Sequence, residues 1–276
     1  MKKYIFVLFF FSSYLSAEIL ESHDIRDLLA FANPETLIIT DLNDVLMTTT
    51  ESLGSDTWAA YEIKKRMAST GMTKVEIMDS FIPLWHHILM EAKFKAVEPS
   101  TAGVIRKLQK QGNTVLGLTA RYVEMAYPTI DQIHSIGIDF TLNTLKNFDC
   151  EIEGGAKYLE GIIFVGLKND KGETLIRFLN QLNYRPKKIL FIDDKEKNLQ
   201  SVSLACQKEG IQFLGLRYGY LDSFSKTFDC TLADSQLKDF INKKESERLS
   251  RMFEADQQAL RITDRDKFNV VNDHGI

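Results

Sequence analysis

Cysteine is scarce in this chain of 276 residues, which holds only Cys150, Cys206 and Cys230. Three residues do not make a disulfide framework for a domain of this size, and an odd number leaves at least one thiol without an internal partner. Zinc spacing is absent as well: His86 and His87 are adjacent, and on a helix adjacent residues point in different directions. There is no surplus of basic charge. Lys and Arg total 34 against 38 Asp and Glu, a net charge of −4 with both signs mixed along the chain. A nucleic-acid surface needs a basic face, so that class is excluded. Beyond residue 17 no stretch is apolar enough to cross a bilayer, and no internal repeat or low-complexity linker interrupts the chain. The length allows one good-sized domain with a small insertion.

Residues 1–17 read MKKYIFVLFFFSSYLSA. Two lysines, an apolar core and a small-residue end make the pattern of a secretory signal peptide, which is removed on export. The alternative is an uncleaved N-terminal anchor. The mature protein is expected to be exported, periplasmic or secreted, with no membrane span.

Three apolar runs end in polar residues. Leu37-Ile38-Ile39 stops at Thr40-Asp41-Leu42-Asn43-Asp44; Val115-Leu116-Gly117-Leu118 stops at Thr119-Ala120-Arg121; Ile189-Leu190-Phe191-Ile192 stops at Asp193-Asp194. Short β-branched runs of this kind are buried strands, and open α/β sheets bind ligands at the carboxyl ends of their strands. Between the runs lie helical patterns. Val104, Ile105 and Leu108 form an apolar stripe with Gly112 behind it, and Leu175, Ile176, Leu179 and Leu182 form another. Residues 22–32 read as a short amphipathic helix, 123–135 as a further helix, and Tyr158 to Val165 as one strand. Residues 56–94 hold no β-rich run and are rich in Met and aromatics, so they read as a small helical insertion. Residues 234–254 read as a charged helix, with a surface helix and loose tail beyond Ala255.

These pieces resemble the four motifs of the haloacid dehalogenase-like superfamily, in order. Asp41-Leu42-Asn43-Asp44-Val45-Leu46 is similar to the first motif, with Asp41 in the nucleophile's place. Thr119-Ala120-Arg121 resembles the second in the form found in acid-phosphatase-like branches. Lys171, with Lys168 as competitor, resembles the third, and Asp193-Asp194-Lys195-Glu196-Lys197-Asn198 the fourth. The tail of the Asp193 motif and the segment Phe213-Leu214-Gly215-Leu216-Arg217-Tyr218 also resemble a group of exported bacterial proteins of this superfamily whose substrates are not known.

The resemblance implies an α/β fold: a Rossmann-like parallel sheet flanked by helices, with a helical cap inserted after the first strand. Its division would be a core over 18–48 and 97–242, a cap over 49–96, and a charged C-terminal helix and tail over 243–276. It implies Mg²⁺ held by Asp41, the backbone carbonyl of Asn43, and Asp194 or Asp193. Oxygen ligands of that kind suit the ion. Thr119, Arg121 and Lys171 would bind a small phosphorylated substrate. Asp41 would attack phosphorus and form an aspartyl-phosphate. Asn43 stands where family phosphatases carry a second Asp, and an amide neither donates nor accepts that proton at neutral pH. Asp44 is a carboxylate displaced by one residue. The implied enzyme is therefore a slow phosphatase; the alternative is an exported, catalytically weak domain that binds a phosphorylated ligand or a protein partner.

Overall fold

Leu37, Ile38 and Ile39 are all buried, yet they serve two different cores. Ile38 packs with Val104, Ile105, Leu108, Leu190 and Ile192, whereas Leu37 and Ile39 pack with Leu175, Phe178, Phe191, Leu199 and Val202. Successive strand residues point to opposite faces, so an unbroken apolar run is what a sheet covered on both sides requires. That sheet is seen in a computed structural model, which describes residues 17–146 and 148–272. The strands are β1 (Ala17–Ser22), β2 (Thr36–Thr40), β3 (Met47–Thr49), β4 (Phe94–Ala96), β5 (Val115–Thr119), β6 (Cys150–Ile152), β7 (Ala156–Leu159), β8 (Ile162–Phe164), β9 (Lys188–Asp193) and β10 (Gln212–Tyr218). The helices are α1 (Asp27–Phe31), α2 (Asp56–Thr70), α3 (Lys74–Glu91), α4 (Thr101–Lys110), α5 (Ala126–Ser135), α6 (Lys171–Gln181), α7 (Glu196–Glu209), α8 (Asp222–Lys226) and α9 (Cys230–Asn272).

By their contacts the residues form two units: the chain through Thr50 with Asp79–Thr227, and Glu51–Met78 with the chain from Phe228. The first unit holds an eight-stranded sheet of order β1-β10-β9-β2-β5-β8-β7-β6. The pairs from β1 to β8 are parallel, and β7 and β6 add antiparallel hairpins at one edge. Buried residues of α4 and α5 belong to one core and those of α6 and α7 to the other. The fold is α/β, a mostly parallel sheet flanked by helices.

In the second unit Ser55 caps α2 by accepting from Trp58 N at 3.1 Å, and Gly71 ends it in the left-handed conformation (φ 71°) that a side chain resists. Helix α9 joins it: Tyr61 Oη and Lys65 Nζ donate to Asp234 at 3.1 and 2.8 Å, and Leu53 N donates to Gln236 Oε1 at 2.9 Å.

Several sequence readings change. The stretch Tyr158–Val165 is two strands, because Glu160 (φ 46°) and Gly161 (φ 80°) turn the chain between β7 and β8. Two consecutive positive φ values are the signature of a tight hairpin turn. Strand β1 is additional, and the helix expected over 22–32 shortens to α1. The surface helix expected beyond Ala255 is not a separate element but continues α9 to Asn272, where a loose tail was also expected; residues 255–272 contain neither Gly nor Pro to stop it. Of the expected signal peptide, residues 1–16 lie outside the described residues, as do 273–276 of the tail. Cys150, Cys206 and Cys230 are all free thiols. Among the described residues no helix is long and apolar enough to cross a membrane.

Candidate functional site

Parallel pairing brings the ends of β2, β5 and β9 to one edge of the sheet. Thr40 pairs with Ile192 and with Gly117, and Asp41 N donates to Ile192 O at 3.0 Å. Asp41 therefore leaves β2 beside Asp193, and Thr119 closes β5 one strand over. All three are buried.

The fourth contributor arrives on a helix. Asp170 caps α6 by accepting from Glu173 N at 2.9 Å, and it also takes the Ser201 hydroxyl at 2.6 Å. Gly172 lies so close to α7 that a Cβ there would stand 2.4 Å from Ser201 O. This close approach sets Lys171 between the two strand ends. Its Nζ is 2.8 Å from Asp41 Oδ1 and 2.7 Å from Asp193 Oδ2, and the residue is 5% exposed. Lys168 is exposed and takes no such place.

Asp193 is fully enclosed. Its Oδ2 accepts from Lys171 and from Asn198 Nδ2 (3.0 Å), and its Oδ1 from Lys195 N (2.8 Å) and Asn198 Nδ2 (2.9 Å). Asp194 is half-buried, with Lys195 Nζ at 3.4 Å from its Oδ2. Asp41, Asp193 and Asp194 each bring a carboxylate oxygen within 4.8 Å of the others. An all-oxygen set free of His and Cys suits a hard cation such as Mg²⁺. Burial pushes the Asp41 carboxyl above the usual carboxylate range, and the Asp193 charge adds to this against the pull of Lys171. Burial opposes the Lys171 ammonium, but Asp193 and Asp41 outweigh it and hold its proton more tightly than in an ordinary lysine. A cation among these carboxylates would relieve the repulsion that raises Asp41.

The remaining predicted residues form a second group. Asn43 is half-buried and its Oδ1 accepts from Arg121 Nε at 3.1 Å. The buried Arg121 also donates through Nη1 to Thr129 Oγ1 (2.9 Å) and Gln132 Oε1 (2.5 Å). Thr119 Oγ1 accepts from Arg121 N at 3.2 Å, which leaves the hydroxyl proton for another acceptor. Asp44 takes the left-handed conformation (φ 58°), and its Oδ1 accepts from Thr48 Oγ1 at 3.0 Å. Thr129, Gln132 and Ser201 were not legible as site residues. Each is an ordinary helix polar residue whose role arises only from what folds against it.

A Chlamydia pneumoniae protein with the name "Putative outer membrane protein" is 28% identical over 224 residues, 79% of this chain and 84% of that one. A Streptococcus pneumoniae structure described as a haloacid dehalogenase-like hydrolase is similar over 65% of this chain and 83% of its own, with a TM-score of 0.41 and 14% identity. The tungstate-bound class C acid phosphatase of Bacillus anthracis is similar over 79% and 82%, with a TM-score of 0.34 and 15% identity. Residues 18–250 match the family described as "Protein of unknown function (DUF2608)", and the chain belongs to that family.

Proposed function

We propose that this chain is a Mg²⁺-dependent phosphatase of the haloacid dehalogenase-like superfamily that acts on a small phosphorylated metabolite through Asp41. The observation that carries the reading is the buried Lys171 ammonium, shared by Asp41 and Asp193 at the end of adjacent parallel strands. A carboxylate nucleophile beside a phosphate dianion needs such a cation to offset like charge.

Asp41 attacks phosphorus; the bond to the leaving oxygen breaks, and water later hydrolyses the aspartyl-phosphate. Lys171 neutralises the nucleophile and the phosphoryl oxygens as they approach. The Thr119 hydroxyl, which accepts from Arg121 N on one lone pair, donates a hydrogen bond to a phosphoryl oxygen. Mg²⁺ would be held by Asp41, the Asn43 carbonyl and Asp194, and when bound supplies Lewis-acid polarisation of the phosphoryl group. Asp194 is assigned in preference to Asp193, whose two oxygens already accept four hydrogen-bond contacts. Asp193 instead holds Lys171 and the start of α7.

With an amide at position 43 the site lacks the usual acid, whose help is typically worth about 10²–10⁴-fold. That observation favours a second reading, a weak or silent domain that binds a phosphorylated ligand or a protein partner. Export to the periplasm or medium fits both readings, and the name of the Chlamydia relative agrees with it. Hydrolysis of an aryl phosphate with Mg²⁺, measured for the native chain and Asp41→Ala, separates them. Activity abolished in the variant supports the phosphatase. Activity that survives removes Asp41 as nucleophile, and a native chain that binds phosphate without turnover supports the second reading.

A further inference from the structure

Parallel pairing gives the sheet two unlike edges. Lys188 pairs with Thr36 on one side and Gln212 on the other, and Ala17 pairs with Phe213, so β2, β9, β10 and β1 all start at one edge. Asp41 and Asp193 lie at the opposite edge, where β2 and β9 end. The six residues of β9 span the gap, about 17 Å at a rise of about 3.3 Å per residue.

Charge at the starting edge has the other sign. Residues 184–188, which lead into β9, read Tyr-Arg-Pro-Lys-Lys. Arg185 Nη2 donates to Glu209 O at the end of α7, and Lys187 pairs with Glu35. Lys188 Nζ donates to Phe31 O, at the end of α1, at 3.1 Å. These groups, with Asn33 and Gln212, line a concavity of about 490 Å³. Three cations meet one carboxylate there, an excess of two positive charges in a chain whose net charge is −4. Phe31 and Tyr184, the one in contact with Lys188 and the other next to Arg185 in the chain, are 37% and 38% exposed.

A cation at a helix C-terminus is favourable in itself, because it meets unpaired carbonyls and the negative end of the dipole. That accounts for Arg185 and Lys188, but a carbonyl leaves their charge uncancelled. It accounts neither for Lys187 nor for two exposed aromatic rings beside the cations. The chain that precedes Ala17 arrives at this same edge. In sequence it carries Lys2, Lys3 and the apolar run from Tyr4 to Phe11, a composition that seeks a bilayer. Such a segment brings the starting edge, not the Asp41 edge, toward the lipid.

We infer that the starting edge is a docking surface for an anionic phospholipid bilayer. Arg185, Lys187 and Lys188 meet lipid phosphates, Phe31 and Tyr184 seat among the headgroups, and the Asp41 edge faces away into solution. Cations within a Debye length of the lipid and aromatic rings at headgroup depth are what hold a peripheral protein at an interface. The inference is independent of the chemistry at Asp41.

The test is co-sedimentation of the exported chain with vesicles of phosphatidylcholine alone, and of phosphatidylcholine with phosphatidylglycerol. Binding to the anionic vesicles is expected to be at least about tenfold tighter and to weaken as salt is raised. One Lys or Arg near an anionic surface is worth about fivefold, so Lys187→Gln and Lys188→Gln together lower that affinity about 25-fold. Glu35→Gln deletes the one carboxylate and raises affinity about fivefold, for anionic vesicles only. Lys168→Gln, a change at an exposed lysine beyond the far end of β8, leaves it unchanged. Hydrogen exchange on the vesicles locates the contact: protection is expected at residues 29–36 and 184–188, with 194–198 spared. Equal affinity for the two vesicle types, no gain in Glu35→Gln, or protection that misses 184–188 overturns the inference. Release from the vesicles by inorganic phosphate, but not by chloride of equal ionic strength, also overturns it and assigns the concavity to a small anion.

Discussion

Replacing Lys171 by Met keeps an unbranched side chain of similar length and deletes one buried charge. Two carboxylates then lose the ammonium that stands 2.8 and 2.7 Å from them. Removing one member of a buried ion pair costs about 3–5 kcal/mol, since the charge left behind is uncompensated. Asp193 keeps its contacts from Asn198 and Lys195 N, so the penalty falls mainly on Asp41 and the expected loss is at the lower end, about 3 kcal/mol. Lys168→Met is the matched control. Lys168 is exposed, and surface changes of this sort stay within about 0.5 kcal/mol. Urea unfolding of both variants and the native chain, in chelator so that no divalent ion masks the effect, measures the difference. Phosphatase activity should vanish in the first variant and persist in the second. Equal losses for the two, or a loss at Lys171 below about 1 kcal/mol, would refute the view that one ammonium holds this site together.

Other changes probe the supports. Gly172→Ala forces a Cβ to within 2.4 Å of Ser201 O; overpacking of that kind costs about 1–3 kcal/mol, and since α6 carries Lys171, activity should fall further than stability, measured by comparing kcat with the unfolding midpoint. Asp194→Asn is expected to raise the Mg²⁺ concentration for half-activity with little change in urea stability, whereas Asp193→Asn should destabilise the fold by about 1–3 kcal/mol through its buried contacts; the reverse pattern would exchange their roles. Burial pushes the Cys206 thiol up to about 12, so at pH 8 its thiolate is about one part in 10⁴. Cys230 is exposed and should react quickly with a thiol reagent, while Cys206 waits for unfolding. Because the folded value lies above the unfolded one, this thiol's stabilising contribution is complete below about pH 9 and is lost as pH climbs toward about 12, which a pH series of urea midpoints can follow.

The central strands were legible because their residues obey a local rule with no exceptions. Each run is apolar through both faces and polar at its end, which marks both the burial and the functional edge. Lys171 was preferred to Lys168 because a Gly follows it just ahead of the helix. The reason for the Gly, a neighbouring helix carbonyl, was not legible. Strand β1 was hidden because AEILES carries two glutamates and becomes a strand only by pairing with β10, far along the chain. Arg121 was placed among the substrate-binding residues on its motif alone. The direction of its guanidinium depends on Thr129, Gln132 and Phe94, which come from a different helix and a different sheet. Contacts of that kind leave no periodic trace in sequence.

The energetics of the sheet edge argue for chemistry there. A buried carboxylate–ammonium–carboxylate trio is at best neutral for stability, since apolar residues of the same volume often do as well or better by about 1–4 kcal/mol. The chain nonetheless encloses Asp41, Asp193, Lys171 and, in the adjoining group, Arg121. Beneath them β2 and β9 bury Leu37, Ile38, Ile39, Ile189, Leu190, Phe191 and Ile192, with the uncharged Thr36 and Thr40 as the polar side chains. Packing alone therefore gives no reason to collect charge at this one edge. An ion or a phosphoryl group that the charges are shaped to meet does, and it also explains the excess of carboxylates over ammonium in the first group. Asn43 and Arg121, bonded to each other at this edge, neither give nor take a proton at neutral pH, so the proton transfers of any reaction there fall to the carboxylates and to water.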